Sequence, residues 1–303
     1  MKILVSGLIN LETTLKIDGF PISYQPVRYP FFGIQSTVSG VGYNVVKALT
    51  TLGDDVRFLS LIGDDQAGQV TRTALSEIGV SDRYVRSQLA ETAQSVILYD
   101  PEGSRMINTD LKDNQEQVYP PEIAQKSLSD CALAILCNVN FSRPMLKMAK
   151  DAGVPIATDV HTIGDLYDDY NADFMRAADV LFMSDEHLPD SPETWARKIQ
   201  QTYGTPIIVI GLGRQGALLA IKGDNFIERI PAVHTRDVVN TIGAGDALFT
   251  SFNHYYAKLR SPYEAIRRAM VFASFKIGAR GAADGFLSEA GVETWFQRVA
   301  DSP

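Results

Sequence analysis

The sequence predicts an α/β fold: a doubly wound, mainly parallel sheet flanked by helices, with a small β-sheet lid. Three observations carry this expectation. Short aliphatic, β-branched runs recur at 3–5, 56–62, 133–136, 154–157, 180–183 and 207–210, the pattern of strands buried on both faces. Longer stretches between them, 44–52, 67–78, 144–152 and 195–203, space their apolar residues as helices do and end near glycine. Two segments fit neither pattern, and they are the expected lid.

Taken in order, the opening run Met1-Lys2-Ile3-Leu4-Val5 leads directly into Ser6-Gly7 and reads as a first strand. Strand and helix then alternate, which favours parallel pairing through helical crossovers and places ligands at the carboxyl ends of the strands. Segment 11–38 carries Gly19, Pro21, Pro26, Pro30 and Gly33 among aromatic and β-branched residues, which suits irregular strands. Segment 94–108 reads as a hairpin, with strands 95–99 and 105–108 around Asp100-Pro101-Glu102-Gly103. From Asp246 onward the pattern is helical, through 265–279 and 289–299. No internal repeat or low-complexity segment stands out; 303 residues can form one large α/β domain or two smaller ones, and the expectation adopted is one domain, 1–303, with lid insertions at about 11–38 and 94–108.

The chain has 303 residues, a formal net charge of −8, 45% hydrophobic and 21% charged residues. This is ordinary globular composition, and the acidic balance argues against nucleic acid or an anionic membrane as partner. No transmembrane segment is visible and the opening run is too short for a signal-peptide core, so a cytoplasmic protein is expected. Cys131 and Cys137 flank one apolar run at a spacing that cannot bridge along a strand; buried free thiols are expected. The four histidines, His161, His187, His234 and His254, show no zinc-like spacing.

The run Asn240-Thr241-Ile242-Gly243-Ala244-Gly245-Asp246 precedes an apolar helical pattern. Glycines at a helix start bring unpaired amides close to an anion, and a carboxylate in the first turn can take a proton from an attacking hydroxyl. Taken alone, the run also reads as an ordinary capped helix in which Asp246 complements the dipole. Ser39-Gly40-Val41-Gly42-Tyr43-Asn44 likewise reads as a glycine approach to a helix, with Asn44 able to donate and accept hydrogen bonds. Asn10 and Glu12 share one face of an extended segment. Gly211-Leu212-Gly213-Arg214-Gln215-Gly216 matches the dinucleotide fingerprint, but 217–221 reads as a strand where that fingerprint needs a helix. No P-loop run and no Ser-His-Asp or Cys-His arrangement is present.

Together the 240–246 run, the 39–44 run and Gly7-Leu8-Ile9-Asn10-Leu11-Glu12 resemble the ribokinase-like (PfkB) family of carbohydrate and nucleoside kinases. The resemblance includes Leu61-Ile62-Gly63-Asp64-Asp65-Gln66-Ala67-Gly68 and spans nearly the whole chain in family order. It implies a ribokinase-like α/β fold and ATP-dependent phosphorylation of an alcohol group on a small sugar or nucleoside, with Mg2+. Asp246 matches the family's catalytic base, and Gly243, Ala244 and Gly245 match its anion hole. Asn10, Glu12, Gly40 and Asn44 match positions that hold the acceptor. Gly211 and Gly213 match the turn near the nucleotide, with Ser184 and Thr241 as further nucleotide-side residues; no metal ligand is assigned.

The departures matter. Asn240 and Glu12 stand where the family usually has Asp, and Val41 where ribokinase itself has a basic residue. A neutral amide attracts a cation less, which weakens the expectation of the monovalent cation (K+) site found in some members. Glu12 reaches one methylene further than Asp, a difference that alters pocket depth and selectivity. Arg28 and Arg105 in the lid can recognise a phosphate already on the acceptor, or be solvated charges. Tyr24, Tyr29, Phe31 and Phe32 can stack on a nucleoside base, pack the lid or meet a second subunit. A homodimer through the lid edge is a further expectation, and a non-catalytic metabolite sensor is the rival reading from outside the enzymes.

Overall fold

The computed structural model describes residues 1–300. In chain order the elements are β1 (Lys2–Ser6), β2 (Asn10–Lys16), β3 (Ile34–Ser39), α1 (Val41–Thr51), β4 (Asp55–Gly63), α2 (Gln66–Glu77), β5 (Val85–Leu89), β6 (Gln94–Tyr99), β7 (Arg105–Asp110), α3 (Pro121–Ser127), β8 (Leu133–Leu136), α4 (Arg143–Asp151), β9 (Ile156–Asp159), α5 (Ala172–Ala177), β10 (Val180–Ser184), α6 (Pro192–Tyr203), β11 (Ile207–Gly211), β12 (Ala217–Ile221), β13 (Phe226–Ile230), α7 (Ala244–Leu259), α8 (Pro262–Lys276) and α9 (Glu289–Ala300).

Among the described residues, nine strands form one sheet in the order β13-β12-β11-β10-β9-β8-β1-β4-β5. The pairs from β5 across to β11 are parallel, and β12 and β13 add antiparallel at one edge. β11 and β12 pair as a hairpin, Gly211 opposite Ala217, so the glycine run between them turns back into a strand, as its sequence indicates. Alternation along β1 shows how both faces are used. Ile3 and Val5 pack with α1, α7 and α8 residues such as Val45, Phe249 and Phe272, whereas Leu4 packs on the other side with Leu146, Phe174 and Trp195. Phe182 of β10 meets Phe249 and Phe252 edge-on, with centroids 5.0 and 5.3 Å apart, which fixes the first turns of α7 against the sheet.

A second sheet, β3-β2-β6-β7, joins residues from both irregular segments. β2 pairs antiparallel with β3 and parallel with β6, and β6 and β7 form the expected hairpin with Tyr99 opposite Arg105. Segment 17–33 is irregular, as its prolines dictate.

Some boundaries move. The strand expected at 154–157 is β9, two residues later, because the Val154 amide donates to Ala149 O at 2.9 Å and still belongs to the end of α4. α1 starts three residues before the expected 44, directly after Gly40. The helix expected to reach 279 ends at Lys276, after which Ala279 N bonds back to Lys276 O in a tightened turn. Cys137 is buried and free as expected, whereas the free thiol of Cys131 is only partly buried, at the turn before β8 beside Arg57.

Candidate active site

The small sheet meets the loop that leads into α7, where Ile97 packs with Ile242 and Arg105 reaches Thr241. Gly243 caps this helix with φ 76°. The first helical bond runs from Ala247 N to Gly243 O at 3.0 Å, and Ala244 N donates to Thr241 O at 3.1 Å. The Gly243, Gly245 and Asp246 amides reach no backbone carbonyl, which leaves N–H groups at a positive helix end for an anion. Ala244, expected among the anion-hole amides, directs its own N–H to Thr241 instead.

Asp246 sits in the first turn. Its Oδ2 accepts a hydrogen bond from Asn44 Nδ2 at 2.6 Å, and the Asn44 Oδ1 in turn accepts from Ser39 Oγ at 3.4 Å. Burial raises the Asp246 carboxyl above its ordinary value, opposed by the Asn44 hydrogen bond and by electrostatic interactions with His161 and Lys276. A carboxylate with a raised pKa and one oxygen anchored binds a proton more readily than an ordinary aspartate.

On the facing strand, Asn10 and Glu12 are 3% and 6% exposed. Asn10 Nδ2 donates to Ser95 Oγ at 2.9 Å, but Asn10 Oδ1 and Glu12 Oε1 are buried without a partner. Such orphans are costly unless a ligand or water satisfies them. Burial raises the Glu12 carboxyl, with the neighbouring Ser39 side chain and the Lys276 charge acting in the opposite sense. Gly40 closes this end: with φ 98° it lets the chain turn from β3 into α1, and a Cβ there would lie 2.7 Å from Leu8 O. Asn10, Glu12, Gly40, Asn44, Asp246 and the glycines before it are thus one constellation.

Ser184, Gly211 and Gly213 form a second patch at the ends of β10 and β11. Ser184 lies opposite Gly211 in register, and Asp185 N donates to Gly211 O at 3.0 Å. The patches are linked through His161, whose carbonyl accepts from Ser184 N at 2.6 Å and whose ring contributes to the field at Asp246. Thr241 lies on the glycine loop, where Arg105 Nη1 reaches its side-chain and main-chain oxygens at 3.3 and 3.5 Å. Arg105 therefore bridges the small sheet to the loop, while Arg28 is paired with Asp18 inside the 17–33 segment.

Sequence reasoning missed Lys276. Its side chain is fully buried, and its ammonium donates to the Ile242 carbonyl. The signal was available: Lys276 continues the buried α8 stripe of Ala265, Ala269 and Phe272 at helical spacing.

No cluster of three or more His, Cys, Asp or Glu able to hold a metal occurs among the described residues, and no helix there is long and apolar enough to cross a membrane.

An anchored carboxylate beside free helix-start amides, facing unsatisfied polar groups, defines a phosphotransferase that acts on an alcohol. The chain belongs to the pfkB family of carbohydrate kinases, whose model matches residues 2–289. It is similar to the acarbose 7(IV)-phosphotransferase of Actinoplanes sp., at 25% identity over 82% of this chain and 83% of that protein. It is also similar to the ATP-dependent ribose-1-phosphate kinase of Halopiger xanaduensis, at 26% identity over 96% of each. Among solved structures, a microbiome-derived acarbose kinase superposes with a TM-score of 0.88 at 23% identity, covering 98% of this chain and 99% of that one. Arabidopsis thaliana ribokinase, solved with ribose and ATP, gives 0.81 at 20% identity, covering 97% and 98%. These structures share the fold. The chain is an ATP-dependent kinase of sugars or nucleosides.

Proposed function

We propose that the protein transfers the γ-phosphoryl group of ATP to an alcohol group of a small sugar or sugar-like acceptor. Residues 1–303 would act as one kinase domain, with the small sheet and segments 11–38 and 94–108 as its lid. The observation that carries this reading is the Asp246 carboxylate, held by Asn44 at 2.6 Å and faced by the unsatisfied Asn10 Oδ1 and Glu12 Oε1. The acceptor hydroxyl attacks the γ-phosphorus while Asp246 takes its proton. The bond from that phosphorus to the bridging oxygen breaks, and ADP leaves with the electron pair. The amides of Gly243 and Gly245 stabilise charge on the transferring group, and Ser184, Gly211, Gly213 and Thr241 lie on the nucleotide side.

Mg2+ would fit this site as a companion of the phosphates rather than as the occupant of a protein cage, because the described residues hold no cluster of three or more His, Cys, Asp or Glu. When bound it offsets phosphate charge. Asp185 and Glu186, directly after β10, are the carboxylates nearest in sequence to Ser184.

The sugar reading is favoured over the nucleoside reading by where the lid aromatics lie. Tyr24, Tyr29, Phe31 and Phe32 are 75–104% exposed. Tyr29 and Phe31 line a groove with Leu15 and Lys16, at the opposite end of β2 from Asn10, roughly 15–20 Å along the strand. That position favours contact with a second copy of the chain over stacking on a base in the acceptor site. Val96 and Met106 continue this apolar surface on the outer face of the small sheet, so a homodimer through the lid is part of the proposal. A cytoplasmic location accords with free thiols and with ATP as substrate. Light scattering that returns a monomer at working concentration would remove the dimer. A nucleoside panel followed by thermal shift, compared with pentoses and hexoses, tests the acceptor class. Stabilisation by a ligand without ADP formation would instead establish a sensor.

A further inference from the structure

We propose that the ammonium group of Lys276 takes the place of a bound monovalent cation behind the phosphate-binding loop, so that this kinase works without potassium. The inference rests on the phosphoryl-transfer reading above.

The residue that the family resemblance ties to the cation, position 240, does not fit one here. Asn240 has no charge to offer, and both ends of its amide are already engaged: Oδ1 accepts from Ile242 N at 3.0 Å, and Nδ2 donates to Arg280 O at 2.5 Å. Where the loop turns into the anion-binding glycines, the Ile242 carbonyl accepts from Lys276 Nζ. A hard cation would seek carbonyl oxygens of this kind, and a cation at this one would be repelled by the ammonium already on it.

The surrounding charges favour an ammonium here against the pull of burial. The groups that face Lys276 electrostatically are Asp246, Asp284, Glu12 and Arg105, three carboxylates against one guanidinium. Burial draws the Lys276 pKa down to about 8, so the group keeps its proton at neutral pH. The end of α8 fixes the same loop through its backbone, because Ile277 O accepts from Val239 N at 2.8 Å and from Asn240 N at 3.2 Å. Lys276 thus holds the Ile242-Gly243 turn and supplies positive charge where a triphosphate approaches two buried carboxylates. An ion bound from solution would do both, but only in proportion to its concentration. A lysine on the buried stripe of a helix does both at any salt composition.

The test compares potassium, sodium and choline chloride at matched ionic strength. It uses wild type, Lys276→Met, which keeps the stem but not the charge, and Lys276→Ala, which opens the space. Three quantities are read: the thermal midpoint, Mg-ADP affinity by calorimetry, and ADP release with whichever acceptor responds. In wild type, exchanging choline for potassium should change the affinity and rate by less than about twofold and leave the midpoint in place, as expected when no ion binds. Lys276→Met should lose roughly 10²-fold in rate, the loss typical of one preorganised donor, in all three salts. Lys276→Ala should lose as much in choline and recover about tenfold or more in potassium, with a higher midpoint, because an ion can now bind.

Wild-type activation of tenfold or more by potassium would overturn the proposal without reference to any variant. So would full affinity and rate in Lys276→Met. If no acceptor yields ADP but the midpoints and affinities follow the stated pattern, the transfer reading fails and the role of the lysine stands.

Discussion

Asn44 Nδ2 lies 2.6 Å from Asp246 Oδ2 although 202 positions separate the two residues in sequence. Each belongs to the first turn of its helix, and α1 and α7 enter the site from glycines at positive φ, Gly40 and Gly243. The bond holds one oxygen of the carboxylate, which leaves the other to meet an acceptor hydroxyl. Its charge-assisted character also favours the ionised form, opposing the rise that burial imposes.

Asp246→Asn removes the proton acceptor at nearly constant shape. Turnover should fall by roughly 10²–10⁴-fold while ATP affinity stays within about twofold. Rapid quench of a single turnover, combined with calorimetric ATP titration, checks both. Unchanged turnover would mean that the proton leaves by another route.

Asn44→Ala frees the carboxylate and lets it rotate, so the chemical step should slow by about tenfold or more. The acid limb of the pH–rate profile should also shift upward, because the hydrogen bond that lowers the Asp246 pKa is gone. A profile that keeps its acid limb would argue against Asp246 as the titrating base.

Glu12→Gln keeps volume but replaces a buried acceptor oxygen with a donor for one of its two positions. If Glu12 accepts from an acceptor hydroxyl, KM for the acceptor should rise by roughly 10–100-fold with a smaller change in kcat. Initial-rate kinetics at saturating ATP separates the two effects.

Glycines 243 and 245 should respond differently to alanine. At Gly243, φ is 76° and a Cβ would fall 2.4 Å from Ala282 O, so Gly243→Ala should destabilise the fold by about 1–3 kcal/mol. At Gly245 nothing lies within 4 Å of the added Cβ. Gly245→Ala should keep or slightly raise the thermal midpoint while lowering the rate, since its methyl would stand where phosphate approaches. Scanning calorimetry beside the ADP assay makes the comparison.

Activity should follow a bell in pH. Burial raises the Asp246 carboxyl above its ordinary 3.8, so the rate climbs as the pH passes that raised value and the base ionises. Lys276 loses its proton at about 8 in the fold, so the rate falls again above that pH, and the limbs belong to the Asp246, Glu12 and Lys276 cluster as a whole. Stability moves the other way. Between about 8 and the ordinary 10.5 the unfolded chain holds the lysine proton and the folded chain does not. The contribution of Lys276 to stability therefore rises with pH across that window and is lost as pH falls through 8. Wild type compared with Lys276→Met, by thermal melts from pH 7 to pH 10 and by rate at each pH, should show both trends.

Much of the architecture was legible in the sequence because buried strands and amphipathic helices carry it. The runs at 3–5, 133–136, 180–183 and 207–210 all lie in strands, and the 94–108 hairpin pairs as its turn residues indicate. What was missed is short or depends on tertiary context. α5 has six residues and α3 seven, too few to show a period. β13 mixes charge and apolar residues because it is an exposed edge. At the candidate site the structure brings the 240–246 and 39–44 runs together, yet neither run names its partner across the fold. Lys276 was overlooked because lysine is read as surface by default, although its place on the α8 stripe pointed inward. Arg105 carried no local sign that it would reach Thr241.

The central claim is that Asp246 and the glycine loop transfer phosphate from ATP to an alcohol. Its most direct test is ADP release by the purified protein with Mg-ATP across pentoses, hexoses, glycosides, their phosphates and nucleosides, run beside Asp246→Asn. Wild type should respond to an acceptor of the panel, and the variant should be at least about 10²-fold slower. Silence across the whole panel with ATP bound, or equal rates for both proteins, would contradict it.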